Sequence, residues 1–297
     1  MKQATEGAGV IEIVTETNEE ETADAVVPEA GPESERNGAS SLTKMLSILD
    51  LFTPEVPVWS TTDIIEVLET SRSTGYRYIK ALNSAGLISA VGNGYYMLGS
   101  RIIELDFQIR RTDPLLQAAN GVLEQLVDAT GHSALLCMHF QNAVLCIDEL
   151  RAPLSPTNLF TRGQRRPLFR GAISKVILAH LPSHRLRAIF ERRTDAIREA
   201  KLGQTWSEFR ETLAQIRSDG FVKSVGEFNP GVVGIAAPIF NVDNAIIGSI
   251  GIACGQDELR DTDLQKVKIS VKRAGREVTQ RMSTITTALG LPPRAVG

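Results

Sequence analysis

Ser71-Arg72-Ser73-Thr74-Gly75-Tyr76-Arg77-Tyr78-Ile79-Lys80-Ala81-Leu82 is the stretch on which the rest of the chain turns. At helical spacing it sets hydroxyls and cations on one face, and Tyr78, Ile79 and Leu82 on the other. Ser71 is placed to cap this helix by accepting from backbone N–H groups left free in the first turn. No acidic residue lies between Ser71 and Ala85, whereas Arg72, Arg77 and Lys80 are cationic, in a chain of formal net charge -3. Such residues in the first turns of a short helix suit entry into a major groove. There Arg reads guanine, and hydroxyls and Lys hold phosphates. The same residues would also make an ordinary solvated helix face, so the flanking sequence has to arbitrate.

Upstream, Leu42, Met45, Leu46, Leu49 and Phe52 recur at intervals of three and four, marking an amphipathic helix that Pro54 and Pro57 end. A second helix opens at Ser60-Thr61-Thr62 and is expected to bury Ile64, Ile65, Val67 and Leu68. Glu69 and Thr70 turn the chain into the third helix, predicted to run to about residue 84, where Ala85-Gly86 stops it. Residues 87–91 and 95–98 then read as strands around Gly92-Asn93-Gly94, and Asn-Gly between alternating residues is a strong hairpin signal. Three helices followed at once by a hairpin is the order of a winged helix-turn-helix, here over residues 40–99. The recognition-helix candidates for DNA are Arg72, Ser73, Thr74, Tyr76, Arg77 and Lys80. Asn93 in the wing, with Thr61 and Thr62 at the second helix, are candidate backbone contacts. Gly75 in mid-helix costs about 1 kcal/mol relative to Ala; close approach of DNA backbone or of another helix would account for it.

The bulk properties leave room for this reading. A chain of 297 residues, 42% hydrophobic, accommodates one or two domains and a tail. No stretch approaches the roughly 18–20 apolar residues that span a bilayer, and residues 1–10 lack the apolar core of a secretory signal. Cys137, Cys146 and Cys254 are an odd count at wide spacing. That argues against a disulfide framework and against a zinc site, and fits a reducing cytoplasm. Charge is unevenly spread: the first 40 residues hold ten acidic side chains against Lys2 and Arg36, a net of −8, which leaves +5 for the remainder. A near-neutral pI therefore does not exclude a nucleic-acid partner. Residues 1–39 lack aromatics and are rich in Glu, Thr, Ala and Gly, so they are expected to be disordered apart from a short apolar patch at 10–14.

Beyond the hairpin, residues 100–111 read as a linker helix. Its Ile102, Ile103, Leu105, Phe107 and Ile109 are too apolar for a free linker, so it is expected to pack on a neighbouring copy. Pro114 breaks it, and one helix is predicted over 115–129, closed by Thr130-Gly131. The period then switches to two, with strands at 132–140 and 143–150 around Gln141-Asn142. A polar, basic loop at 159–166 leads to a helix at 167–181 and another at 183–193. Thr205 opens a further helix that Gly220 caps. Strands follow at 221–225, 231–240 and 245–253, with Pro238 expected at an edge or bulge. A last helix is predicted over 262–289, before Pro292-Pro293. Residues 114–291 thus read as an α+β domain whose antiparallel sheet carries helices on one side.

Four local matches carry a resemblance to a known family. They are Ser41-Leu42-Thr43-Lys44-Met45-Leu46-Ser47-Ile48-Leu49; Arg72-Ser73-Thr74 with Tyr76-Arg77, Leu82, Gly86-Leu87-Ile88 and Tyr95-Tyr96-Met97-Leu98-Gly99; Arg165-Arg166-Pro167-Leu168 with Lys175 and Leu178-Ala179; and Gly226-Glu227 with Gly231-Val232-Val233-Gly234-Ile235-Ala236-Ala237-Pro238. In this order they resemble the IclR family of bacterial transcription regulators, over nearly all of residues 41–291. The resemblance implies an N-terminal operator-binding head and a C-terminal GAF-like effector domain. It also implies a homodimer or homotetramer acting on pseudo-palindromic double-stranded DNA. For the effector it points to Gly171, Ala172, Ile173, Ser224, Val232, Gly234, Gly251 and Ala253. Arg170 stands where the family usually has a small residue, and Gly171 and Ser174 also depart from its pattern. Free N–H groups at a helix start suit a carboxylate and Arg170 adds charge, so a small organic acid is the expected effector, with no cofactor or metal. Two other readings compete. Cys137, His139 and Cys146, followed by Asp148-Glu149, are residue types used in covalent catalysis, but no motif unites nucleophile, base and oxyanion donor. An architectural DNA-binding protein with a ligand-blind dimerisation domain is the third class.

Overall fold

The structure, a computed structural model, describes residues 40–288 apart from 154, 157, 158 and 260, together with residue 290. The expected disordered segment 1–39 with its patch at 10–14, and the Pro292-Pro293 stop, lie outside the described residues. The chain divides into two compact units between Ile102 and Ile103.

In the first unit, helices α1 (Ser41–Leu46), α2 (Thr61–Val67) and α3 (Arg72–Ser84) precede the hairpin β2 (Ile88–Gly92) and β3 (Tyr95–Leu98). A serine starts each helix. Ser40, Ser60 and Ser71 accept from the N–H of Thr43, Asp63 and Thr74 at 3.3, 3.1 and 3.3 Å, each worth about 1 kcal/mol. Asn93 and Gly94 both take positive φ, 50° and 78°, as a two-residue turn matched to strand twist demands. The short β1 (Trp59–Ser60), which pairs with Tyr96 and Tyr95, is not anticipated by the sequence because two residues show no alternation. Ile48, Ile64, Tyr78, Ile79, Leu82 and Ile88 form the core.

The first two helices differ from expectation in what they bury. Leu42 is 67% exposed, and Leu46 and Val67 are exposed as well. After Leu46 the chain tightens into a 3₁₀ turn, Ser47–Leu51. With three residues per turn, the inward row becomes Met45, Ile48 and Leu51, all in the core or packed on it. In α2 the inward pair is Ile64 and Leu68, which leaves Val67 outside.

The second unit begins within α4 (Arg101–Thr112), followed by α5 (Pro114–Ala119) and α6 (Val122–Thr130). Pro114 starts a helix rather than only ending one: it fills the first position, and Asp113 Oδ1 accepts from Leu115 N at 2.9 Å. The single helix predicted over 115–129 is split at Asn120-Gly121, where Gly121 takes φ 76°. Six antiparallel strands follow, in the order β6 (Arg165–Pro167), β5 (Ala143–Leu150), β4 (Ser133–Phe140), β9 (Ile246–Gly255), β8 (Val232–Phe240), β7 (Val222–Val225). The basic loop at 159–166 therefore ends in an edge strand, and its Leu159 and Phe160 are buried. The next helix, α7 (Ala172–Ala179), starts only after Gly171, whose φ of 84° lies outside the helical region. Then come α8 (Ser183–Arg192), the unanticipated α9 (Thr194–Glu199), α10 (Trp206–Asp219) and the long α11 (Asp261–Ala288).

Helices cover both faces of this sheet, not one. Strand alternation sends Ala134, Leu136, Val233, Ile235, Ile250 and Ile252 into a core with α5, α6 and α11. It sends Leu135, Cys137, Val144, Cys146, Ala236 and Ala253 into a second core with α7, α8 and α10. Central β9 is buried along nearly its whole length, so its apolar run is that of a strand enclosed on two sides. Pro238 falls beyond the part of β8 that β7 pairs, Val233 to Ala236, so its missing N–H leaves no ladder bond unmade there.

Candidate functional site

The recognition-helix candidates share one outward face. Arg72, Ser73, Tyr76, Arg77 and Lys80 are exposed and Thr74 is half-buried, while Gly75, Tyr78, Ile79 and Leu82 point inward. The helix is held from behind by the core and by Tyr78, whose hydroxyl meets Ser41 Oγ at 2.7 Å. Neither Arg72, Arg77 nor Lys80 forms an ion pair among the described residues. Gly75 answers to another helix: a Cβ there would sit well inside van der Waals contact of Ile65 on α2. Asn93 is exposed at the tip of the β2–β3 turn. Thr61 is tied to that turn, since its Oγ1 and its backbone N each donate to Gly94 O at 2.9 Å. Thr62 beside it is exposed and unconstrained by such a bond.

The predicted effector residues also gather, on the α7 face of the sheet. Ser224, Gly234 and Ala253 are consecutive partners across β7, β8 and β9, with Gly251 two residues along β9 and Val232 two residues along β8, on the same face. Gly234 is small for a reason: a Cβ there would stand 3.2 Å from Ser224 Oγ and 3.5 Å from Ala172 Cβ. The start of α7, however, is not free. Gly171 N donates to Glu227 Oε2 at 2.9 Å and Ala172 N to Ser224 Oγ at 3.0 Å. The same Glu227 oxygen meets the largely buried Lys175 Nζ at 2.6 Å, and Ser249 Oγ donates to Ile173 O at 3.1 Å. The N–H groups expected to await a carboxylate therefore already hold one. Arg170 is drawn to Glu199 at 3.3 Å in an exposed pair, which contributes little.

Sequence reasoning passed over the residue with the strongest anion chemistry on this side of the sheet. Arg166, on β6, packs its guanidinium on the rings of Phe160 at 4.3 Å and Phe228 at 3.9 Å. It is half-buried, and burial lowers its guanidinium to about 10. No carboxylate among the described residues pairs with it, whereas Arg162 has Asp106, Arg170 has Glu199 and Arg281 has Glu277. Both rings are within cation–π distance of the guanidinium, and no hydrogen-bond acceptor for its N–H groups is found among the described residues. The Arg-Arg-Pro motif was visible in the sequence, but nothing local joins Phe160 and Phe228 to it. A separate cavity of about 210 Å³ lies by α5 and α6, lined by Arg110, Gln117, Asn120, Glu124 and Asp148 among others. Arg110 is already paired with Asp106 at 2.8 Å, and the two acids disfavour an anion there.

Cys137, His139 and Cys146 do not form a catalytic set. Burial pushes the Cys137 thiol well above its ordinary range, with Cys146 adding to the shift. Burial also holds His139 at about 4, with Arg185 contributing, and neither ring nitrogen has a hydrogen-bond partner among the described residues. A protonated thiol without a hydrogen-bonded base is no activated nucleophile.

A winged head with an uncompensated cationic helix, followed by a helix-covered antiparallel sheet, defines a DNA-binding regulator with an effector domain. The model of the IclR helix-turn-helix domain matches residues 41–92, and that of the bacterial transcriptional regulator IclR C-terminal domain matches residues 108–280. The chain belongs to the IclR family, whose members are transcriptional regulators and not enzymes. It is 27% identical over 261 residues to the HTH-type transcriptional regulator XynR of Escherichia coli, covering 85% of this chain and 98% of that one. To KdgR of the same organism it is 23% identical over 255 residues, covering 83% and 94%. Its fold matches an IclR transcriptional regulator from Alicyclobacillus acidocaldarius with a TM-score of 0.69 at 20% identity, over 82% of this chain and 98% of that one. It also matches an IclR homolog from Microbacterium hydrocarbonoxydans complexed with 4-hydroxybenzoate, with a TM-score of 0.67 at 19% identity, over 82% and 99%. No helix among the described residues is long and apolar enough to cross a membrane.

Proposed function

We propose that this regulator works in the cytoplasm as a homodimer or homotetramer. In this reading it grips a pseudo-palindromic operator through Arg72, Ser73, Thr74, Tyr76, Arg77 and Lys80, with Asn93 and Thr62 on flanking phosphates. Thr61 serves the same surface by fixing the wing. The observation that carries the reading is the outward face of α3, where three cations meet no acid among the described residues. Oligomerisation is supported by α4, whose Ile103 is 73% and Phe107 61% exposed, an apolar face that a second copy would cover. Two heads on one duplex read half-sites about 34 Å apart, one helical turn. Selection of bound fragments from genomic DNA, followed by footprinting, tests this. The expected result is a paired, inverted site, and recovery of fragments with no shared sequence would sink it.

For the effector we propose a small organic acid whose carboxylate lies on the N–H edge of Arg166, flanked by Phe160 and Phe228. Ala172, Ile173, Ser224, Val232, Gly234, Gly251 and Ala253 then form the closely packed wall behind it, and Arg170 has no direct part. A carboxylate ligand in one relative of this fold supports the class. The internally satisfied start of α7 favours the competing, ligand-blind reading, so the test must separate the two. A thermal-shift panel of small carboxylates on the full chain should find at least one that stabilises wild type by about 2.7 kcal/mol at a hundredfold excess over Kd. Arg166→Gln should abolish that shift and leave DNA binding intact. No shift across the panel supports the ligand-blind reading.

A further inference from the structure

A second constellation lies on the other face of the sheet. His132 stands half-buried where α6 hands over to β4, Cys254 is buried near the end of β9, and Glu258 is exposed in the 3₁₀ turn Gln256–Glu258. One ligand atom from each lies within 4.8 Å of the other two. Cys254 belongs to the core shared with α11, so this group is separate from the α7 face. We propose that His132, Cys254 and Glu258 bind a single divalent transition-metal ion of the zinc type.

The ligand chemistry selects the ion. Thiolate with imidazole and carboxylate is a borderline-soft set that suits zinc, whereas magnesium and calcium take oxygen ligands. Zinc bonds of about 2.0–2.3 Å in a tetrahedron place ligand atoms roughly 3.5 Å apart, so the trio has about 1 Å to close. The movable member is Glu258, exposed and anchored by only one oxygen, which accepts from Gly255 N at 3.2 Å. Asp263, at the beginning of α11, is near enough to act electrostatically on His132, and a solvent oxygen would complete the tetrahedron. On binding, the Cys254 thiol gives its proton to solvent and the metal–sulfur bond forms, with no change of oxidation state. The three ligands come from a helix–strand junction, a strand end and a turn that leads into α11. The ion would therefore clasp three separate segments of the second unit.

Cysteine spacing counted against zinc because only one of the three cysteines takes part. Its partners are a histidine and a glutamate, and the antiparallel β4–β9 register, with Ser133 opposite Ala253, brings them together.

Cobalt titration of full-length, metal-stripped, untagged protein tests the site. Wild type should bind one equivalent, with a thiolate-to-cobalt charge-transfer band in the near ultraviolet and the intense visible bands of tetrahedral geometry. Cys254→Ser should lose the charge-transfer band, whereas Cys137→Ser and Cys146→Ser keep it. Glu258→Gln, an exposed change that keeps an acceptor for Gly255 N, folds whatever becomes of the metal and should weaken cobalt binding roughly tenfold or more. Absence of the band in wild type, its persistence in Cys254→Ser, or unchanged affinity in Glu258→Gln overturns the proposal.

Discussion

Helices α3 and α7 are both short, each begins at a position suited to an anion, and the sequence assigns a ligand to each. Their surroundings are opposite. Around α3 the chain supplies hydroxyls and three cations, and no acid among the described residues pairs with them. Around α7 the chain supplies its own carboxylate, its own hydroxyl and its own cation, from Glu227, Ser224 and Lys175. Polar groups in the interior are satisfied internally because leaving them unpaired costs about 1–3 kcal/mol each. Polar groups on a surface carry no such constraint and remain available. A motif therefore transfers to a binding role more safely on an exposed helix than at a buried helix start.

The contrast breaks most easily at Glu227. Glu227→Gln removes the anion that serves both Lys175 Nζ and Gly171 N. Loss of one partner from a largely buried pair should destabilise the second unit by about 3 kcal/mol. Urea unfolding followed by fluorescence would show it, and a loss below about 1 kcal/mol would mean that α7 is not held this way. At α3 the converse holds. Arg77→Ala should cost about 1–3 kcal/mol of specific operator affinity if Arg77 reads a base, measured by gel-shift titration, with the melting temperature unchanged. A third substitution asks how α3 is seated. Gly75→Ala gains about 1 kcal/mol of helix propensity but drives a methyl into Ile65, and overpacking costs about 1–3 kcal/mol. The net expectation is a loss of about 1 kcal/mol that Ile65→Ala relieves in the double variant. Additive losses would show that the two residues do not compete for space.

How much was legible follows the same division. The helices and hairpin of the head were readable because each carries its own signal: a serine cap, an apolar period, an Asn-Gly turn. Gly121 and Gly171 broke two predicted helices because a glycine inside an apolar run gives no warning that its φ is positive. The two-sided burial of the sheet was missed because an apolar strand such as β9 reads the same whether one or both faces are covered. Arg166 was missed for a deeper reason. Its character comes from Phe160 and Phe228 and from the lack of a paired acid among the described residues, and neither a distant ring nor a missing partner is written beside it in the sequence.

Thr61 gives the smallest test and the one that lies between the two cases. It was read as a phosphate contact, yet its hydroxyl proton is committed to Gly94 O, as the polar groups of α7 are committed inside their own domain. Thr61→Val keeps the β-branched shape and the backbone bond from Thr61 N to Gly94 O, and removes only the side-chain donor. If Thr61 acts as a clamp on the wing, stability should fall by about 1 kcal/mol, and operator affinity should fall only through a less ordered Asn93-Gly94 turn. If it touches phosphate, the melting temperature should hold and affinity should drop alike for specific and unrelated DNA, because a backbone contact carries no sequence information. Thr62→Val is the internal control, since an exposed threonine without a bond to the wing can change only the second quantity. A stability loss confined to Thr61→Val would assign the first threonine to the fold and leave the second to the DNA.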